Sequence, residues 1–295
     1  MIEEQMESGC STAGLGDDSW FARNQRDKTK FRSAERCEAL AIKLGEHGFR
    51  YLFPHVCPSH PDGIISPIDP DQTRLFLDHV EGFSVVPWVG GVLDLHCFPD
   101  SVEWRENFVN SICTMLEEHP RLAGVQLNIE PMPSGNAYFL LLLDELKAAM
   151  PVGKILSVAA YPPPTVLHPF PEVHWEEDYY REVARRVDQT APMMYDTAVK
   201  VPKVYQQLMA TWTREVLDWS EGSEVLLGLP AYATEGVQYH FSYVENLKNA
   251  FPGIHAGLRS YDTVPAAYAG VAIYSEWEMD DEEWALFERE FGRVR

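Results

Sequence analysis

Eight short apolar runs separated by amphipathic stretches constrain what this chain can fold into more than any other feature. They are SWFA (19–22), RYLFPHV (50–56), FSVVPWV (83–89), LAGVQLNIE (122–130), KILSVAAY (154–161), APMMYD (191–196), EVLLGLPAY (224–232) and AGVAIYSEW (269–277). The intervening stretches, among them SAERCEALAIKLGEHG, SVEWRENFVNSICTMLEEHP, NAYFLLLLDELKAAM, EEDYYREVARRV, VYQQLMATWTREVLDWS and YVENLKNAF, repeat apolar residues at the helical period. Strands apolar on both faces and joined by single helices require a parallel sheet covered by helices. Eight such units in 295 residues predict an α/β fold, a single (β/α)8 TIM barrel over residues 19–295. Residues 1–18 are rich in Gly, Ser and acids and have no apolar period, so they read as a flexible N-terminal tail.

Charge narrows the partners. Lys and Arg number 24 against 45 Asp and Glu, a formal charge of −21. Such a surface repels phosphate backbones and anionic lipid, which argues against nucleic acid or a membrane and leaves carbohydrate or a cationic ligand. There is no apolar run of about 18 residues, and the acidic start MIEEQMESGCSTAGLGDD lacks the basic-then-apolar order of an export signal. A cytoplasmic location is therefore expected. The 5 cysteines are odd in number and form no C-x-x-C pair, so they read as reduced thiols. The 10 histidines show no ligand spacing and no glycine-rich phosphate loop is present, so neither a metal nor a cofactor is expected.

In a barrel of this kind the chemistry lies at the carboxyl ends of the strands. Those ends carry Trp88, then Gln126, Asn128 and Glu130, then Tyr161, Tyr195 with Asp196, Tyr232, and finally Tyr274, Glu276 and Trp277. Gln126, Asn128 and Glu130 stand two apart, so a strand puts all three on one face, the barrel interior. An amide, an amide and a carboxylate there form either a structural polar network or an acid held near a sugar oxygen. The aromatic residues around them can stack on sugar rings, although each alone also fits core packing.

At these residues the sequence resembles glycoside hydrolase family 18, the chitinases and their relatives. That family carries S-x-G-G after its third strand, D-G-x-x-D-x-D-x-E on the fourth, M-x-Y-D on the sixth, G-L-P-x-Y on the seventh and a Trp closing the eighth. This chain has Trp88-Val89-Gly90-Gly91, Gly124 with Glu130, Met193-Met194-Tyr195-Asp196 and Gly228-Leu229-Pro230-Ala231-Tyr232, with Tyr274 or Trp277 at the last position. The three motif aspartates are replaced by Ala123, Gln126 and Asn128. Asn-x-Glu is the arrangement of the family 85 endo-β-N-acetylglucosaminidases, where an amide orients the substrate's acetamido group.

The resemblance implies a retaining, substrate-assisted glycosidase of β-linked N-acetylhexosamine glycans, with Glu130 as acid/base and Asn128 and Tyr195 holding the acetamido group. Trp88, Gln126, Tyr161, Asp196, Tyr232, Tyr274, Glu276 and Trp277 are then the substrate-binding set. Two other readings stay open. One is a retaining two-carboxylate glycosidase with Glu235 or Glu276 as nucleophile. The other is a barrel that binds glycan or protein without cleaving it.

Overall fold

The apolar runs from residue 50 onward form strands because their β-branched and aromatic residues suit a pleated surface buried on both sides. The computed structural model describes residues 5–8, 33–168, 171–233 and 238–291. Its strands are β1 (Gln5–Ser8), β2 (Phe49–Phe53), β3 (His55–Pro58), β4 (Ser84–Val85), β5 (Trp88–Val92), β6 (Gly124–Glu130), β7 (Ile155–Ala160), β8 (Gln189–Pro192), β9 (Glu224–Pro230) and β10 (Tyr268–Tyr274). The helices are α1 (Ala34–Glu46), α2 (Pro70–His79), α3 (Val102–Glu118), α4 (Ala137–Ala149), α5 (Glu177–Ala184), α6 (Pro202–Trp219), α7 (Leu247–Leu258) and α8 (Asp281–Phe291).

The sheet order is β3-β5-β6-β7-β8-β9-β10-β1-β2-β4. All neighbours are parallel except those of β1, which runs antiparallel to both β10 and β2. The two ends of this order belong to the same two runs of chain. Pro54 separates β2 from β3, and Pro87 lies between β4 and β5, since proline has no N–H for the ladder. Between the breaks the pairing continues, with Val86 N donating to Leu52 O at 2.8 Å and Trp88 N to Pro54 O at 3.0 Å.

Several boundaries depart from the sequence reading. The expected tail contains a strand at Gln5–Ser8, while the expected first strand at 19–22 lies outside the described residues. The run at 191–196 forms strand only from Gln189 to Pro192; Met193 adds one isolated bridge to Gly228, and Asp196 then takes a φ of 58° that no ladder accommodates. The pattern read as helix from Tyr243 begins at Leu247, because the Asn246 side chain caps it by accepting from Asn249 N at 3.1 Å. Asp69 and Pro70 start α2 in the same way, and Asn136 starts α4.

Alternation along β6 divides the core. Val125, Leu127 and Ile129 join the large apolar cluster that includes Phe108, Ile112 and Leu142 of the covering helices. On the inner side, Phe53, Val86, Trp88, Ala191, Leu226 and Ala272 form a separate small cluster. Gly90 brings β5 close to β6 opposite Asn128: a Cβ there would meet Asn128 O at 1.9 Å, and its φ is +146°. Cys37, Cys97 and Cys113 are free thiols. No helix among the described residues is long and apolar enough to cross a membrane.

Candidate active site

Glu130 is the last residue of β6, half-buried at the strand's carboxyl end. Loss of hydration raises its pKa above the ordinary carboxylate value, and the negative charge of Asp196 adds to the rise; hydrogen bonds from Asn128 and Tyr161 partly offset both. Tyr161, just past β7, donates its hydroxyl to Glu130 Oε2 at 3.3 Å. Burial and the adjacent Glu130 push the Tyr161 phenol far above its usual range, so it remains a donor.

Asn128 is buried beside Glu130, and its hydrogen bond favours the ionised form of that carboxyl, the effect of an amide N–H donating to it. Its Oδ1 has no hydrogen-bond partner among the described protein groups. One residue pair deeper, Gln126 belongs to a different arrangement: its Nε2 donates to Ser157 Oγ at 3.3 Å, and Ser157 Oγ donates to Gln189 Oε1 at 2.9 Å. Gln126 therefore sits in a buried network across β6, β7 and β8.

The opposite side of the site is aromatic. Tyr195 stacks on Tyr274 with centroids 5.6 Å apart, and Tyr232 meets both edge-on at 5.9 and 5.1 Å. Tyr274 thus takes the inward position at the end of β10; the Trp277 side chain lies outside what is described. Tyr195 adds to the electrostatic environment of Tyr161, which joins the aromatic side to the Glu130 side. Trp88 lies deeper than a mouth position, 1% exposed within the inner cluster and stacked on His55 at 4.0 Å. Glu276 is buried and paired with Lys43 of α1 at 2.6 Å. Glu235 lies outside the described residues.

Asp196 brings in residues that the sequence reading passed over. Its Oδ1 accepts from the Tyr232 hydroxyl and from His240 Nδ1, the latter at 3.1 Å. His240 Nδ1 also lies 3.6 Å from Glu245 Oε2, and Glu245 accepts from Thr197 Oγ1 at 2.9 Å and from Thr197 N at 3.2 Å. Burial disfavours charging His240, but its hydrogen bonds to Asp196 and Glu245, and their charges, push its pKa up to about 9. One side-chain nitrogen or oxygen from each of Asp196, His240 and Glu245 lies within 4.8 Å of the others, a cluster that spacing along the chain did not reveal. A signal was available: the segment after Tyr232 mixes His, Glu and Asn with aromatics, but in the sequence Glu245 reads only as part of the helical pattern YVENLKNAF.

No family model and no curated protein matches this chain. Solved structures do. The chain is similar to a chitinase from Chromobacterium violaceum ATCC 12472, at 14% identity over 85% of this chain and 94% of that one, with a TM-score of 0.59. A fungal endo-β-N-acetylglucosaminidase from glycosyl hydrolase family 18 matches at 15% identity, covering 88% of this chain and 93% of that one, with a TM-score of 0.57. The Bacillus cereus spore cortex-lytic enzyme SleL matches at 12% identity, 90% and 71% coverage and a TM-score of 0.57. The resemblance to family 18 read from the motifs is thus present in the fold.

Proposed function

We propose that the chain is a single (β/α)8 barrel and a glycoside hydrolase of β-linked N-acetylhexosamine glycans, retaining and substrate-assisted. The observation that carries this reading is Glu130: a strand-end carboxyl with a raised pKa, contacted by one amide and one phenol. A carboxyl whose pKa is raised keeps its proton to higher pH than an ordinary one and can pass it to a glycosidic oxygen.

In the first step the substrate's acetamido oxygen attacks the anomeric carbon, the bond to the leaving oxygen breaks, and Glu130 protonates that oxygen. In the second, Glu130 as carboxylate takes a proton from water, whose oxygen opens the cyclic oxazolinium with net retention. Asn128 suits the orienting role by its place beside Glu130, where an amide can hydrogen-bond the acetamido group. Tyr195 would close the other side of that group, with Tyr232 and Tyr274 packed behind it. The pairing of Glu276 with Lys43 weighs against Glu276 as a nucleophile.

The test is hydrolysis of chromogenic β-linked N-acetylglucosamine oligomers, together with affinity for a thiazoline mimic of the cyclic intermediate. Cleavage with retained anomeric configuration, and tighter binding of the thiazoline than of the parent sugar, are expected. A covalent fluorosugar adduct on a carboxylate would replace this mechanism with the two-carboxylate one. Sugar binding without any cleavage would make the chain a binding barrel.

A further inference from the structure

The proposed acid, Glu130, is neutral at the moment the glycosidic bond breaks, while positive charge develops on the sugar ring. The other polar side chains on the inward face of β6, Gln126 and Asn128, are neutral as well. A cation forming in a site poor in water is stabilised by a preorganised anion. The carboxylate whose charge acts on Glu130 is Asp196.

Asp196 is held in an unusual way. Its backbone is left-handed, with φ 58° in a residue that has a Cβ, so its side chain leaves the chain in a direction an extended strand would not give. Both nitrogens of His240 face only acceptors. Nδ1 lies 3.1 Å from Asp196 Oδ1 and 3.6 Å from Glu245 Oε2, and Nε2 lies 3.2 Å from the carbonyl oxygen of Tyr232. Neither nitrogen can act as an acceptor there, so both carry protons and the ring is an imidazolium. Its face stacks on Tyr232 at 4.1 Å, a cation on an aromatic ring, and the same Tyr232 hydroxyl donates to Asp196. Glu245, fully buried and anchored by Thr197, offsets the cost of burying that cation. Two carboxylates and one imidazolium leave the cluster with a net negative charge, and Asp196 is its half-exposed member, facing the site.

We propose that His240, backed by Glu245, is a positioning residue that clamps Asp196 as the anion opposite the positive charge developing on the sugar. The inference rests on the hydrolase reading. It separates from that reading experimentally, because the clamp has a signature that needs no substrate.

The first measurement is NMR titration of the full chain labelled with ¹⁵N-histidine. The His240 ring is expected to stay doubly protonated at pH 7.5 in the wild type and to lose a proton at lower pH in Asp196→Asn and in Glu245→Gln. The second compares a cationic 2-acetamido iminosugar with neutral N-acetylglucosamine. The wild type should prefer the cationic probe by about 10-fold or more. His240→Gln and Glu245→Gln should lose that preference while binding N-acetylglucosamine within about 2-fold of wild type, which also shows that the site is still folded. A neutral His240 ring at pH 7.5 would overturn the proposal. So would undiminished preference for the cationic probe in both variants, or zinc displacing the ring proton at micromolar concentration. If the wild type binds neither sugar probe, the hydrolase reading fails, and the ring titration still decides the clamp.

Discussion

Glu130 and Asp196 are both half-buried and each meets two hydrogen-bond donors, but the donors differ in charge. Glu130 has an amide and a phenol, both neutral, and burial dominates its chemistry by favouring the protonated acid. Asp196 has a phenol and an imidazolium, with a second carboxylate behind the ring. The first environment suits a group that must give up and regain a proton. The second suits a fixed charge. Such a difference in surroundings is what the proposed division into an acid and a fixed charge requires.

The largest effect should come from removing the proton donor. Glu130→Gln keeps the shape of the side chain and is expected to lower kcat by about 10²–10⁴-fold, measured on a substrate with a poor leaving group. A variant as active as the wild type would assign the acid elsewhere and end the comparison. Next in size is Asn128→Ala, expected to lower kcat by about 10²-fold because the acetamido group loses its orientation. KM should change less than kcat, and a KM effect alone would reduce Asn128 to ordinary binding.

The pH profile sharpens the contrast between the two acids. In the proposed mechanism protonated Glu130 is the active form in the first step, so kcat should fall on the alkaline side as Glu130 ionises. The charge of Asp196 helps hold that ionisation at higher pH. Asp196→Asn removes the charge, stabilises ionised Glu130, and should move the alkaline limb to lower pH. Asn128→Asp should move it the other way, by adding a carboxylate next to Glu130. Limbs that stay in place in both variants would mean that Glu130 is not the group being titrated.

Much of the Glu130 side was legible in the sequence, and little of the Asp196 clamp was. Period two along LAGVQLNIE puts Glu130, Asn128 and Gln126 on the inner face whatever the rest of the chain does, and Tyr161 follows from the end of the next run. Depth was not legible in the same way. Trp88 and Gln126 share the parity of site residues yet pack below it, because Trp88 fills the inner cluster and Gln126 finds Ser157. The clamp depends on contacts between residues far apart: His240 is 44 positions from Asp196, and Glu245 is 48 from Thr197. No local period encodes such pairs. The left-handed turn at Asp196 was hidden too, since Met-Met-Tyr-Asp reads as continuing strand until the backbone is seen to leave it.

The smallest effect separates the two amides of β6, which look alike in the sequence. Ser157 joins Gln126 to Gln189, accepting from one and donating to the other, with all three side chains buried. Ser157→Ala removes both bonds and leaves the facing groups of the two glutamines without that partner in a region water does not reach. The cost of such a change is about 1–3 kcal/mol. For a domain of this size that lowers Tm by roughly 2–4 °C per kcal/mol, which calorimetry resolves. Glu130 and Asn128 lie closer to the strand end and share no hydrogen bond with Ser157, so kcat and KM should stay within about 2-fold of wild type, as for other effects between groups that share no partner. A loss of activity without a loss of stability would move Gln126 back among the substrate-binding residues and extend the site one layer deeper into the sheet.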